Sequence, residues 1–200
     1  MCVNQSYVWY VGYGSNLCKE RFLCYICGGK FKWGGKETKR CKDKTLPKAN
    51  KPLQIPHSLY FGKNSTSWRN GGVAFISPEH EPDKNNWTMG RMWEITCEQY
   101  EHVKVQEGKS WYNQEIYLGE DDGVPIHTIT NKKIVTSYNK PSEEYIKTIA
   151  LGLKETDNWP SNKILRYLST KAGVKGQINR DDLIKIIRSV TSSNTSLKTY

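Results

Sequence analysis

The segment Tyr7-Val-Trp-Tyr-Val-Gly-Tyr-Gly-Ser-Asn-Leu17 joins a short apolar run to a glycine-rich turn. The apolar run predicts a buried β-strand, and the residues after the turn predict a helix. Gly12 and Gly14 tolerate the backbone angles of a tight turn, and Ser15 or Asn16 can cap the helix. Backbone N–H groups at such a turn would point at one spot and favour an anion there. A purely structural turn explains these residues equally well.

Four further segments accompany this motif along the chain. They are Tyr60-Phe-Gly62, Gly71-Gly-Val-Ala-Phe-Ile76, Val105-Gln-Glu-Gly-Lys-Ser-Trp-Tyr112 and the stretch from Pro141 to Glu155. In this order and spacing, the set resembles the gamma-glutamylcyclotransferase-like family over roughly residues 7–160. Cys41-Lys-Asp-Lys44 and Pro56-His-Ser-Leu-Tyr-Phe61 resemble signatures of an uncharacterised bacterial subgroup of that family. Such a resemblance transfers a fold more securely than a substrate.

The resemblance implies an α+β fold with a mixed, barrel-like β-sheet and flanking helices. The residue patterns agree, because β-branched and aromatic runs predict strands and amphipathic runs predict helices. Gly119-Glu-Asp-Asp-Gly123 predicts a hairpin with Asp-Gly at its tip. Beyond the opening strand, we expect strands at residues 57–62, 71–77, 88–95, 112–118 and 124–130, and helices at 17–27, 97–105 and from Ser142.

The domain organisation follows from composition. We expect one domain over residues 1–156, with a glycine- and lysine-rich loop insert at about 28–55. A small helical C-terminal extension is expected over residues 157–200, with Ser161 and Asn179 as caps of two helices. The apolar stripes of these helices need burial, most simply against the domain. The polar tail from Ser192 is expected to fray.

The formal net charge of +10 is unevenly placed. Residues 19–51 hold 11 Lys and Arg against 3 Asp and Glu, and residues 157–200 hold 8 against 3, whereas the rest is mildly acidic. We expect the basic insert to form a positive rim that attracts an anionic small molecule. Nucleic acid is not expected as a partner, because the lysines lack the interleaved aromatic residues of a single-strand platform. A solvated surface is the simpler alternative.

Six cysteines occur without a secretory signal, so we expect reduced thiols and a cytoplasmic protein. Cys24-Tyr-Ile-Cys27 with Cys18 and Cys41 could form a zinc site, but the second knuckle pair of a zinc ribbon is missing. We therefore expect neither a metal nor a cofactor. No apolar run approaches the roughly 20 residues of a membrane span, so no membrane partner is expected. The sequence leaves open whether the protein forms a homodimer.

The resemblance also implies roles for individual residues. Glu107 matches the family's catalytic acid/base, in a Glu-Gly element that follows a short helix. Val103-Lys104 stands where many relatives have Leu-Asp, which puts the substrate pocket in question more than the fold. The family's backbone cradle and its substrate-lining tyrosines match Tyr13, Gly14, Ser15, Asn16 and Leu17, and Tyr112 and Tyr145, respectively.

Two functions of different classes follow. The favoured one is an enzyme that cyclises a gamma-glutamyl group to 5-oxoproline and releases an amine. One carboxyl suffices, because Glu107 can take a proton from the attacking amine and return it to the leaving amine. The alternative is a non-catalytic protein that sequesters an anionic or nucleotide-like signal in the same pocket. The glutamate favours the enzyme, whereas the basic insert favours the binding protein.

Overall fold

The structure is a computed structural model, and it describes residues 6–192. Every predicted strand and helix is present, with shifted bounds. Among the described residues, no helix combines the length and the apolarity that a bilayer span requires. The strands are β1 (Tyr7–Gly12), β2 (Asn50–Ser65), β3 (Gly71–Ile76), β4 (Trp87–Thr96), β5 (Gln114–Asp121) and β6 (Val124–Thr130). The helices are α1 (Lys19–Cys27), α2 (Cys97–Glu107), α3 (Glu143–Asp157), α4 (Ser161–Ser169) and α5 (Arg180–Thr191), with 3₁₀ turns at Ser15–Leu17, Thr66–Trp68 and Lys84–Asn86.

The strands form a six-stranded sheet in the order β3-β2-β4-β1-β6-β5. Neighbouring strands are antiparallel except β1 and β6, which run parallel with Trp9 opposite Ile126. The long strand β2 pairs with β4 through its first half and with β3 through its second half. The sheet is therefore mixed, as the sequence predicts.

The two ends of the sheet approach each other, but no ladder of backbone hydrogen bonds joins them within residues 6–192. Side chains bridge the gap. The Thr130 hydroxyl at the end of β6 donates to the Ile76 carbonyl of β3 over 2.6 Å. The Tyr112 hydroxyl donates to the Ala74 carbonyl of β3 over 2.9 Å. The sheet thus has a barrel-like curvature and stays open.

Three local signals of the sequence are confirmed and a fourth is wrong. Asp122 and Gly123 have φ values of 51° and 74°, as a two-residue hairpin turn with two positive φ angles requires. Ser142 and Asn179 each accept a backbone N–H bond and cap α3 and α5. Ser161 does not cap α4; it is the first helical residue and follows a proline, and the cap position makes no side-chain bond.

Helices α4 and α5 bury their stripes in the same core as the sheet, which confirms the expected burial. Ile164, Leu168, Leu183 and Ile187 are each at most 1% exposed and belong to one cluster with Phe61 of β2. Helix α3 mediates this packing, since it contacts both α5 and the turn that follows β1. Residues 193–200, where most of the fraying tail was predicted, lie outside the described residues.

The insert ends earlier than predicted. Residues 50–55 are strand because they pair with β4. Residues 28–49 contain no helix or named strand, in keeping with a loop, but they are anchored on α1. The Cys41 N–H donates to the Ile26 carbonyl over 2.9 Å, and Phe31 is only 2% exposed. The insert therefore packs against α1.

Candidate functional site

The glycine-rich turn after β1 approaches its neighbours too closely for side chains. A Cβ atom on Gly12 would lie 2.7 Å from the Asn16 Cβ, and one on Gly14 would lie 2.7 Å from the Tyr145 hydroxyl oxygen. Both positions therefore require glycine. Neither Ser15 nor Asn16 caps α1, whose cap position makes no side-chain hydrogen bond. The predicted cap is wrong because a 3₁₀ turn at Ser15–Leu17 comes first and moves the cap position of α1 to Cys18.

The Asn16 side chain points inward to Glu107. Its Nδ2 donates to Oε1 of Glu107 over 2.7 Å and to the Tyr10 hydroxyl over 3.1 Å. The Asn16 carbonyl accepts from Nε1 of Trp93 over 3.0 Å, which fixes the backbone of the turn. Asn16 is 4% exposed, so its bond to the carboxylate is shielded from water. Charge-assisted bonds in such surroundings are stronger than neutral ones.

Glu107 is the last residue of α2, which continues two residues beyond the predicted end at 105. Gly108 then leaves the helix with φ of 90°. Thr96 and Gln99 fix the other end of α2 with a capping box. The negative end of a helix dipole disfavours a carboxylate. The Asn16 N–H donor offsets that effect and holds the half-buried Glu107 side chain in place.

Four buried tyrosines and one partly buried tyrosine surround the Glu107 carboxylate. Burial is the largest cause that raises the pKa of each phenol, and the negative charge of Glu107 raises it further. The pKa of Tyr145 rises to about 12. The phenols therefore stay protonated near neutral pH and line the carboxylate with neutral hydroxyls. They are Tyr10, Tyr13, Tyr25, Tyr112 and Tyr145.

Backbone groups of the sheet orient three of these phenols. The Tyr13 hydroxyl donates to the Ile129 carbonyl of β6 over 2.7 Å. The Tyr145 hydroxyl accepts from the Ala74 N–H of β3 over 3.1 Å, and Tyr112 donates to the carbonyl of the same residue. Strands β3 and β6 thus set the positions of phenols that come from three separate parts of the chain.

A cavity with two chambers opens at Glu107. The inner chamber has a volume of about 30 Å³ and the outer chamber about 310 Å³. The outer volume suits a small-molecule ligand, whereas the inner one admits a group little larger than a water molecule. Residues at the junction, which line both chambers, are Ser15, Glu107, Tyr112 and Tyr145.

The structure brings most of the predicted site residues to this cavity. Tyr13, Gly14 and Asn16 line the inner chamber, next to the four junction residues. Leu17 does not line either chamber. Its side chain is 0% exposed, and Gly152 of α3 packs so closely that a Cβ there would lie 2.4 Å from the Leu17 Cβ. Leu17 is therefore a core residue that positions the turn.

Several lining residues have no counterpart in the sequence prediction, among them two tyrosines and two cations. Tyr10 lines the inner chamber, and Arg21, Tyr25 and Lys36 line the outer one. One signal could have found Arg21, because it lies three residues after Cys18 on the buried stripe of α1. A charged residue on an apolar helix face is unusual enough to examine. Lys36 gave no comparable signal within a lysine-rich loop.

The basic insert contributes less to the cavity than its charge suggests. Lys36 is the insert lysine that lines the outer chamber, and its ammonium donates to the Gln106 carbonyl at the end of α2. Lys39, Arg40, Lys42 and Lys44 line neither chamber. Within residues 6–192, no group of three or more His, Cys, Asp or Glu side chains is placed to hold a metal ion.

This architecture is the gamma-glutamyl cyclotransferase fold. A solved gamma-glutamyl cyclotransferase matches with a TM-score of 0.54 at 23% identity, over 90% of this chain and 98% of that one. A structure described as an uncharacterized protein from Homo sapiens matches with a TM-score of 0.54 at 21% identity, over 90% of this chain and 99% of that one. At these identities the similarity concerns the fold, which by itself does not define a substrate.

A curated protein is also similar in sequence. Histone deacetylase 5 of Arabidopsis thaliana is 31% identical over 188 residues, which cover 74% of this chain and 28% of that protein. The chain therefore spans little more than a quarter of this relative. No family model matches the chain.

Proposed function

We propose that this protein is a gamma-glutamyl cyclotransferase-like enzyme with Glu107 as general acid/base. It would cyclise a gamma-glutamyl group to 5-oxoproline and release an amine. The observation that carries the proposal is the Glu107 carboxylate, held at the junction of the two chambers by Asn16 over 2.7 Å. The fold supports it, since one of the matching structures is a gamma-glutamyl cyclotransferase.

The reaction needs one group that moves a proton. The α-amine of the gamma-glutamyl group attacks its own δ-carbonyl, so a C–N bond forms within the substrate and the C–N bond to the leaving amine breaks. Glu107 accepts the proton lost by the attacking nitrogen and returns it to the leaving nitrogen. The attacking nitrogen is already tethered to the carbonyl, so positioning alone supplies much of the rate.

The inner chamber would hold the part of the substrate where charge develops. Its lining includes Gly14 and Ser15, whose turn we predicted as an anion cradle. A volume of about 30 Å³ fits an oxygen or a carboxylate better than a whole gamma-glutamyl group. We therefore place the carbonyl oxygen or the α-carboxylate there, and the leaving amine in the outer chamber. Preorganised donors at such a point stabilise a transition state strongly.

Sequestration of an anionic ligand without turnover is the second candidate. The basic residues Arg21 and Lys36 in the outer chamber favour it. Release of 5-oxoproline and free amine from a panel of gamma-glutamyl compounds tests the enzyme directly. Wild-type protein that is inert across the panel, and that releases a phosphorylated or otherwise anionic molecule on denaturation, would support sequestration instead. Mass spectrometry of the released molecules identifies that outcome.

Asn16→Ala should lower kcat by about tenfold, because it removes a charge-assisted hydrogen bond that orients the Glu107 carboxylate. KM should change less, since Asn16 acts mainly through Glu107. Steady-state kinetics on the best gamma-glutamyl compound measure both constants. Asn85→Ala is the matched control, because Asn85 is exposed and lines neither chamber. Equal losses in the two variants would show that Asn16 has no special role.

Neutralising Lys39, Arg40, Lys42 and Lys44 together should change kcat/KM for a gamma-glutamyl compound by no more than about threefold, the scale of exposed charges. These residues are all exposed and line neither chamber. The measurement is kcat/KM at low and high salt for wild-type and quadruple variant. A large loss together with a steep salt dependence of the wild type would contradict a small gamma-glutamyl substrate.

A further inference from the structure

Arg21 is a buried cation that forms no ion pair with any carboxylate of residues 6–192. It is 2% exposed, on the stripe of α1 that faces the core. Its Nη2 donates to the Tyr25 hydroxyl over 2.9 Å, and that phenol is neutral. Its Nε and Nη1 have no hydrogen-bond partner among the described residues. A guanidinium presents five N–H donors, so this side chain keeps unused binding capacity.

Such an arrangement destabilises a folded protein unless a ligand uses it. A buried charge without a counter-charge, and buried donors without acceptors, both cost free energy. The second buried arginine of the chain shows the contrast. Arg91 is 5% exposed and has a full set of partners, including Glu155 at 3.0 Å and Asn50 at 2.8 Å. The other buried arginine is therefore paired, and Arg21 is the exception among the described residues.

The backbone of the insert lies directly against the Arg21 guanidinium. The insert covers its guanidinium with Gly35, where a Cβ would lie 3.2 Å from Nε. Gly35 has φ of 80°, a conformation that glycine adopts most easily. The insert thus places backbone against the cation, and Lys36 follows directly with its own positive charge on the outer chamber. The outer chamber is therefore lined by two cations, Arg21 from α1 and Lys36 from the insert.

The Arg21 charge lies in a different chamber from the one where we place the reacting group of the substrate. Arg21 and Lys36 line the outer chamber and not the inner one. Glu107 lies at the junction of the two chambers. The Tyr25 hydroxyl accepts a hydrogen bond from Arg21, and the negative charge of Glu107 raises the pKa of Tyr25, so Tyr25 lies near both groups. A ligand that reaches from the inner chamber past Glu107 would bring its far end to Arg21.

We propose that Arg21 binds an anionic group, a carboxylate or a phosphate, on the leaving-amine part of the substrate and so determines specificity. The inference rests on the proposed function, because that reaction defines which part leaves. Guanidinium groups suit both anions, since they can donate two parallel N–H bonds. A neutral or cationic leaving amine would leave the Arg21 donors unpaired.

The test compares three gamma-glutamyl compounds with wild-type protein and Arg21→Met. Gamma-glutamyl-glycine carries a carboxylate, gamma-glutamyl-phosphoethanolamine a phosphate, and gamma-glutamyl-ethylamide no charge on the leaving part. Arg21→Met should lower kcat/KM by about 10- to 100-fold for at least one anionic compound, the range of a hydrogen bond to a charged group. The loss for the neutral compound should be several-fold smaller, because it offers no anion for Arg21 to bind. The anionic compound whose kcat/KM falls further in Arg21→Met shows whether the site prefers a carboxylate or a phosphate.

Arg40→Met is the matched control, because Arg40 is an exposed arginine of the insert outside the chambers. Thermal unfolding gives an independent readout: unliganded Arg21→Met should unfold at a higher temperature than wild type, since an unpaired buried charge has been removed. Arg21→Lys serves if the methionine variant does not fold, and should show the same selective loss. Equal losses on charged and neutral compounds would overturn the proposal, as would no loss at all.

Calorimetric binding of the same three compounds separates this proposal from the enzyme proposal. If wild type turns none of them over but binds an anionic one in a manner that depends on Arg21, the enzyme proposal fails and the anion site stands. If turnover occurs and the anionic compounds are not favoured over the neutral one by an Arg21-dependent margin, the anion site fails and the enzyme stands. Absence of both turnover and binding overturns both.

Discussion

Glu107→Gln is expected to lower kcat for 5-oxoproline release by about 10²–10⁴-fold, the contribution of a positioned acid/base group. The amide has the size and polarity of the carboxyl but cannot take up and return a proton. Its carbonyl oxygen can still accept the Asn16 Nδ2–H bond that now reaches Oε1 over 2.7 Å. The variant should therefore fold normally and keep its thermal unfolding temperature within a few degrees of wild type.

Binding to the inactive variant makes the test specific. Calorimetry should give affinities for a gamma-glutamyl compound within about tenfold of wild type, since the amide keeps the size and hydrogen-bonding oxygen of the carboxyl and a neutral hydrogen bond contributes only about 1 kcal/mol. Glu98→Gln is the control, because Glu98 lies exposed at the opposite end of the same helix. A Glu107→Gln variant that retains more than a tenth of wild-type activity would rule out Glu107 as the proton carrier.

The individual strands and helices were predictable because their signals are local. Alternating and apolar runs gave the strands, and Asp122-Gly123 gave the hairpin turn. The start of β2 was missed, because Asn50, Lys51 and Pro52 have low β-propensity. These residues are strand because β4 supplies partners, a tertiary effect that the local sequence does not encode.

The candidate site was only partly predictable, because its residues are brought together by long-range folding and not by local signals. The ordered motifs, which resemble a known family, pointed to Glu107, Tyr112 and Tyr145, although Tyr145 lies far from the other two in sequence. The role of Asn16 was not predictable, because a cap and an inward hydrogen bond are equally good uses of an asparagine in a glycine-rich turn. The choice depends on the Glu107 carboxylate, which long-range folding brings within 2.7 Å.

The remaining prediction with a large effect concerns the cradle. Gly14→Ala should lower kcat/KM by at least about 10²-fold, the usual effect of a 1 Å misplacement in a catalytic site. The new Cβ would lie 2.7 Å from the Tyr145 hydroxyl oxygen and 3.0 Å from the Ala74 Cβ. Neither neighbour can yield easily, because Tyr145 is 3% exposed and packs edge-on against Trp68 with ring centroids 4.8 Å apart. The turn must therefore move, and Ser15 moves with it.

Stability should fall together with activity. Forcing a methyl group into a packed site costs about 1–3 kcal/mol, and denaturant unfolding of Gly14→Ala should show a loss of that size. Gly176→Ala is the control. A Cβ there meets nothing within 4 Å, although φ of 73° makes the substitution mildly strained. We expect a small loss of stability and unchanged kinetics in this control, because Gly176 does not line the chambers.

A second substitution tests whether the Tyr145 hydroxyl is the cause of the clash. Tyr145→Phe removes the oxygen that the Gly14→Ala methyl would meet, and by itself leaves the Ala74 N–H without the partner it has at 3.1 Å. In the double variant the methyl group can occupy the space of the missing oxygen. Its unfolding free energy should therefore exceed the additive expectation by about 1 kcal/mol or more, as for contacting residues in double-mutant cycles. Strict additivity would mean that these two atoms do not oppose each other, and the cradle would need a different geometry.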